Sequence, residues 1–302
     1  MELWIPITLA AAFFQNLRSA LQKYLKGRLS TLGATLVRFS YGVPFALLYL
    51  LVLNQGFGFD LPGPNPTFAI YAVIGGIAQI VATALLLMTF SYRNFAVGTT
   101  YSKTETLQTA IFAIIVLGDP LTLPVMLAIL ISFAGVVLLS AAQTRTGVRA
   151  MITGLGEPPA LIGIGSGAAF AVSAVSYRAA SLALDSGDFL IRASFTLACV
   201  IVLQSVILGL YLIVREPGQL WATARAWRAA VWVGLSGMLA SAGWFTAMTI
   251  QPVAHVRALG QIELVFTFIA AHFFFKERST RLEISGILLV IGGILVLLLA
   301  TD

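Results

Sequence analysis

Long apolar runs alternate with short polar connections along the whole chain, and each run approaches the roughly 20 residues that an α-helix needs to cross a bilayer. Read at about Leu3 to Tyr24, Thr31 to Val52, Phe68 to Tyr92, Phe95 to Leu117, Leu121 to Ala142, Leu161 to Leu184, Phe189 to Val214, Ala229 to Ile250, Val253 to Phe275 and Leu282 to Ala300, they make ten spans. The longest connections, Asn54 to Thr67 and Gln143 to Ala160, are only loop-sized, so any function must lie within the membrane part. Composition agrees, since 59% of the residues are hydrophobic and only 10% are charged, against about 25% charged in soluble domains. The first run has no basic segment ahead of it and continues past Phe13 into Gln15, Asn16 and Arg18, which predicts a retained span rather than a signal peptide.

Polar positions inside these runs carry the functional signal. The stretch Thr99 to Gln108 sets Lys103, Glu105 and a group of hydroxyl and amide side chains within the fourth run. Neither glycine nor proline interrupts the run between Gly98 and Leu117, so a single helix of about 22 residues is predicted over Phe95 to Leu117. An ionisable side chain near the bilayer centre costs about 2.5–3.5 kcal/mol on insertion scales, so such residues face a bundle interior or a wet cavity. Tyr101, Glu105, Gln108 and Thr109 share one stripe of that helix, and Thr99, Lys103 and Thr106 form another.

In the ninth run Glu263 has Gln261 close by but Val256 and Leu259 on its own stripe. Drier surroundings are therefore expected there, suited to binding a proton, whereas Lys103 and its polar neighbours keep Glu105 ionised. The alternative for Glu105 is a structural ion pair with Lys103 or with a basic residue on a neighbouring helix. Arg257 either snorkels from the end of the ninth run or holds a substrate carboxylate through paired hydrogen bonds. Arg38 and Arg192 either pair with helix carbonyls and buried acids or face a substrate. Gln15, Asn16 and Gln79 are further cavity candidates. Trp244 lies deep in the eighth run, where it either packs or stacks on a substrate ring, while Trp4, Trp221 and Trp227 stand where interfacial anchors belong.

The second half repeats the first. Shifting by 158 residues lays Asn94 to Ala142 over Pro252 to Ala300 without a gap and with eleven identities in 49 positions, pairing Glu105 with Glu263, Thr122 with Thr280 and Gly135 with Gly293. An odd number of spans per copy makes the second enter the membrane from the opposite side. The predicted fold is thus all-α, ten transmembrane helices as two inverted five-helix repeats, 1–142 and 161–302, joined by a loop at 143–160. Glu105 and Glu263 each fall about ten residues, roughly 15 Å, into their helices, at mid-bilayer depth.

Charge changes the picture once. A net charge of +6 invites a nucleic-acid reading, yet twelve basic residues fall at the 1–2, 3–4, 5–6, 7–8 and 9–10 connections and none at the other loops or the termini. By the positive-inside rule the basic loops are cytoplasmic and both termini lie on the far side of the cell (inner) membrane. Cys199, the single cysteine, excludes an internal disulfide. With no cysteine and histidine cluster at metal spacing, no glycine-rich phosphate loop and no nucleophile–base motif, neither a cofactor nor an enzyme is expected.

An arginine early in spans two and seven (Arg38, Arg192), a glutamate midway along spans four and nine (Glu105, Glu263) and a short acidic turn before spans five and ten (Gly118-Asp119-Pro120, Lys276-Glu277-Arg278) resemble the EamA-type transporters of the drug/metabolite transporter superfamily. The resemblance covers the whole chain. It implies movement of small molecules, often export of amino acids or other metabolites, through a central cavity that opens alternately to each side. Members of that superfamily often keep both termini cytoplasmic, which the loop charges here argue against.

Four functions compete on this reading. The first is a secondary transporter, acting as a monomer in the lipid bilayer, for small polar metabolites such as amino acids. Its site residues would be Tyr101, Lys103, Glu105, Gln108, Arg257, Gln261, Glu263, Arg38, Gln15, Asn16, Gln79 and Trp244, with Glu263 coupling transport to protons. Exchange of anionic metabolites is the second, favoured by six basic residues within the spans against two deeply placed acids. An intramembrane lipid-handling protein and a structural scaffold remain, and buried charges argue against the scaffold.

Overall fold

Punctuation residues set where many helices begin and end. The computed structural model describes residues 2–89, 101–144, 154–185, 188–273 and 280–301, and among them every element is helical. Thirteen α-helices run in order: α1 Trp4–Lys26, α2 Thr31–Ser40, α3 Val43–Leu51, α4 Pro66–Thr89, α5 Glu105–Leu117, α6 Leu123–Thr144, α7 Pro158–Leu182, α8 Phe189–Arg215, α9 Pro217–Arg225, α10 Trp227–Ile250, α11 Val253–Gly260, α12 Ile262–Phe273 and α13 Arg281–Thr301. Proline opens α4, α7 and α9, where its missing N–H is not needed. The Ser30 hydroxyl caps α2 by accepting from Gly33 N–H at 3.0 Å, and Gly118, at φ 67°, ends α5 in the left-handed conformation. Thr99, Thr100, Tyr92, Phe95, Arg93, Arg145, Arg149, Lys276, Glu277 and Arg278 lie outside the described residues.

Among the described residues seven helical stretches are long and apolar enough to cross a membrane, and they coincide with predicted spans two, three, five to eight and ten. Their outer faces leave Val214, Leu288 and Leu299 exposed, as the shorter apolar helix Glu105–Leu117 leaves Ile115, which only a hydrocarbon surround makes favourable. The chain is a multi-pass membrane protein. Predicted span one is a 23-residue helix that carries Gln15, Asn16, Arg18 and Gln22, and spans four and nine appear as shorter pieces.

Those two departures share a cause. The single helix expected over Phe95 to Leu117 is instead interrupted, with Tyr101 and Ser102 helical, Lys103 and Thr104 in a turn, and α5 starting at Glu105. Thr104 Oγ1 donates to the Tyr101 carbonyl, and the turn is closed by tight three-residue bonds, Thr104 N–H to Tyr101 O at 3.1 Å and Thr106 N–H to Lys103 O at 3.4 Å. Predicted span nine breaks at the equivalent place, Gln261, with Gln261 N–H on Ala258 O and Leu264 N–H on Gln261 O. Predicted span two is also split, at Tyr41–Gly42, just before Pro44, whose ring is incompatible with a continuous helix at that point.

Helix pairing follows the repeat. The closest packed pairs are α6 with α13, α4 with α7 and α1 with α10, and each joins one half of the chain to the other. The α6–α13 crossing shows the relation atom by atom: a Cβ on Gly135 would lie 2.6 Å from Gly286 O and 2.8 Å from Val290 N, and one on Gly293 would lie 2.7 Å from Ala128 O and 2.8 Å from Ser132 N. Each of the second set of positions is the first set displaced by 158 residues. Backbones touch there because neither glycine carries a side chain. Two placements correct the sequence reading of the tryptophans and loops. Trp4 is buried, bonded to the Glu2 carboxylate and packed in the core rather than anchored at the interface. The connection after α8 contains the short helix α9, on which exposed Trp221 lies under Arg225 at 5.7 Å, as an interfacial element would.

Candidate functional site

Both helix breaks put a half-helix N-terminus inside the protein and an acid in its first turn: Glu105 in α5 and Glu263 in α12. The exposed N–H groups of a first turn favour a carboxylate there. Gly167 of α7 permits the first break to sit where it does, because a Cβ on it would meet Ser102 O at 2.9 Å, Thr104 Oγ1 at 3.0 Å and Glu105 N at 3.1 Å. On the other side Asn16 of α1 donates to the Glu263 carbonyl at 2.7 Å, satisfying backbone near the second break.

The charges then pair across the repeats rather than within them. Lys103 forms an ion pair with Glu263, and Arg257 NH1 meets Glu105 Oε1 at 3.0 Å. Glu105 is thus paired directly with a basic residue of the other half, and the dry surroundings assigned to Glu263 are corrected. The Glu263 carboxylate faces an ammonium and also accepts from Gln15 Nε2 at 2.8 Å. Two positions apart on a helix face different directions, so Lys103 reaches the other half instead of its near neighbour. Arg257 does not snorkel. Its guanidinium lies 4.8 Å from the Trp244 ring centroid, and the Trp244 indole donates to Gln15 Oε1 at 2.9 Å. Gly260 makes room for that ring, since a Cβ there would come within 2.6 Å of Trp244 Cη2.

Gln15, Lys103, Glu105, Thr106, Trp244, Arg257, Gly260, Gln261 and Glu263 thus line one cavity between the halves, with about 20 Å³ of open space at its centre. That holds about one water, so the side chains have closed on one another. Gln261 donates to Thr106 Oγ1 while its own Oε1 and the Arg257 Nε remain buried without a hydrogen-bond partner. A cavity wall with unsatisfied donors and acceptors is prepared for a polar occupant.

Not every expected residue reaches this wall. Tyr101 packs with Ala141 and Ala160, and Gln108 donates to Thr104 Oγ1 at 2.9 Å on its own helix. Arg38 and Gln79 line a second, smaller cavity of about 10 Å³ among α2, α4, α8 and α10. Arg38 contacts the Thr83 hydroxyl at 2.7 Å, not a buried acid. Sequence reasoning missed Arg18, which is 4% exposed and lies three residues from Gln15, on the polar stripe of the first span. It also missed Arg178, whose Nε lies 3.4 Å from Asp119 Oδ2 and whose NH1 donates to the Gln251 carbonyl at 2.8 Å. That ion pair gives the acidic turn after α5 a partner at the ends of α7 and α10. Among the described residues no group of three His, Cys, Asp or Glu is arranged to hold a metal.

Comparison with known proteins decides what this architecture belongs to. The sequence profile of the EamA-like transporter family matches residues 2–141 and 158–299, one copy on each half. The chain belongs to the EamA-like transporter family. The two matched copies fall on the two halves whose helices pair across the molecule, and the family is one of transporters, not of enzymes. A solved structure titled only "Crystal structure of protein" superposes with a TM-score of 0.73 at 17% identity, covering 98% of this chain and 96% of that one, a likeness of fold alone. No curated protein matches.

Proposed function

We propose that this EamA-like chain is a secondary transporter of small polar metabolites, amino acids among them, working by alternating access as two inverted repeats of five spans in the cell membrane. The observation that carries the reading is the crossed pair of ion pairs, Lys103–Glu263 and Arg257–Glu105, at breaks in symmetry-related helices. A substrate with charged ends competes for these groups, and its entry separates the halves that the ion pairs hold together. Family resemblance favours export as the direction.

Glu263 is the coupling group on this reading. Neutralising its carboxylate releases Lys103, and with it a link between the two halves, so proton binding and opening are tied. Replacing Glu263 by glutamine keeps the hydrogen bond to Gln15 and removes the charge. In liposomes, Glu263→Gln protein is expected to retain substrate exchange while net transport no longer responds to an imposed pH gradient. A well-folded variant with unchanged pH dependence refutes the proton role and leaves exchange or facilitated diffusion.

A further inference from the structure

Two buried arginines near the central cavity have, among the described residues, no acid to answer them. Arg18 of α1 and Arg38 of α2 are each 4% exposed, and among the described residues neither meets a carboxylate within ion-pair distance. Their stems flank Gly237 of α10, where a Cβ would lie 3.4 Å from Arg18 Cδ and 3.6 Å from Arg38 Cγ. Among the described residues Arg18 makes one hydrogen bond, to Ser19 at 3.3 Å, and its Nε has none. Arg38 donates to Thr83 and lies 5.2 Å from the Phe39 ring centroid. Both feel Arg257 and Glu105 electrostatically, so they belong to the same charged interior as the central cavity. With Lys103 and Arg257 counted against Glu105 and Glu263, that interior carries two positive charges more than negative ones. An uncompensated buried charge is strongly unfavourable, and two neighbouring ones of like sign more so.

The cavity beside Arg38, reached by Arg18 only across Gly237, surrounds one of these charges with polar groups. Its polar lining is Arg38, Gln79, Gln204 and Ser241, and its remaining walls are Phe39, Leu197, Val200, Ile201, Gly237 and Phe245. Gln79 Oε1 already accepts from the Tyr177 hydroxyl at 2.7 Å and from Gln204 Nε2 at 3.1 Å, which fixes that amide and leaves its N–H₂ as a donor. Guanidinium forks match the geometry of carboxylate and phosphate. We infer that the transported metabolite is an organic anion whose carboxylate or phosphate head is held by Arg18 and Arg38, with its body reaching toward Lys103 and Arg257. This rests on the transport reading above and names its substrate class.

The test uses the purified full-length chain, with succinate, glycerol 3-phosphate, leucine and putrescine as probes, read by thermal stabilisation in detergent and by exchange in liposomes. Succinate or glycerol 3-phosphate is expected to stabilise and to exchange, and which of the two does so separates carboxylate from phosphate recognition. Arg18→Gln and Arg38→Gln are expected to weaken that anion at least tenfold while the unliganded melting temperature stays the same or rises, because a costly buried charge has gone. Arg38→Lys, which keeps the charge and loses the fork, is expected to recover part of the affinity. Exchange of leucine or putrescine without either anion overturns the inference and leaves the transport reading standing. If no probe binds or exchanges, both fall. Arginine variants that melt lower yet bind the anion unchanged make the two arginines structural, which also overturns it.

Discussion

Glutamine substitutions at Glu105 and Arg257, singly and together, separate a coupled ion pair from two adjacent charges. At 3.0 Å and an effective dielectric near 20, the Coulomb attraction is about 5 kcal/mol, much of it offset by the cost of desolvating both groups. Removing one partner does not refund that desolvation, and orphaning a buried charge costs about 3–5 kcal/mol. Both side chains are largely buried, at 11% and 17% exposure, so solvent does little to rescue the survivor. Glu105→Gln leaves Arg257 against Trp244 alone, beside Lys103 and Arg18 of the same sign. Arg257→Gln leaves an unpaired carboxylate at the head of α5. The double variant orphans nothing and is expected to lose only about 1–2 kcal/mol, giving a coupling energy of about 4 kcal/mol or more. The assay is SDS titration in mixed micelles, with thermal midpoints as a second ranking, where each single substitution should lower the midpoint by an amount on the order of 10 °C. Uptake into liposomes should fall in both single variants. A double variant whose loss equals the sum of the single losses shows that the pair is not coupled and removes the basis for the proposed site.

Two further outcomes follow from other parts of the structure. Gly135→Ala places a Cβ 2.6 Å from the Gly286 carbonyl, which must then move with its helix, at a cost of about 2–3 kcal/mol. Gly292→Ala, with nothing within 4 Å, should be neutral or stabilising by up to about 1 kcal/mol through helix propensity, and equal thermal midpoints for the two variants would refute the α6–α13 crossing. In a Cys199→Ser background, single cysteines at Gly56 and Thr146 should react from opposite sides, with Thr146 cytoplasmic; reaction of Thr146→Cys from outside intact cells reverses the orientation taken from the loop charges.

Much of this fold was legible because a bilayer imposes one length and one polarity on every span. Hydropathy alone located the seven long apolar stretches among the described residues, and the 158-residue shift that matched Glu105 to Glu263 pairs the two helices that break, although no break was read from it. The break at Lys103–Thr104 has no glycine or proline of its own. It depends on Thr104 bonding back to Tyr101 and on Gly167, far along the chain, giving α7 room to approach. Only tertiary contact reveals that. The charge partners were half legible, since the spacing of Lys103 and Glu105 already put them on different sides of a helix. Arg18 was in view three residues from Gln15, yet a cation in the second half of the first span, ahead of Lys23 and Lys26, reads as part of the basic end of that span until α1 is seen to lie against α10 and α2.

The pairing of α6 with α13, α4 with α7 and α1 with α10 also sets a timetable for biosynthesis. Glu263 leaves the ribosome 158 residues after Glu105, which at about 5–20 residues per second is an interval on the order of 10–30 s. Through that interval the first half is in the membrane with no partner for the groove at Gly135 and with Lys103 and Glu105 unanswered by the second half. Each such charge is worth about 2.5–3.5 kcal/mol against staying inserted. The nascent half is therefore the most vulnerable species in the life of this protein, the one that most needs shelter from an insertase or chaperone and the one most open to a membrane protease. The grooves and charges that join the finished molecule are the same ones that expose it while it is being made.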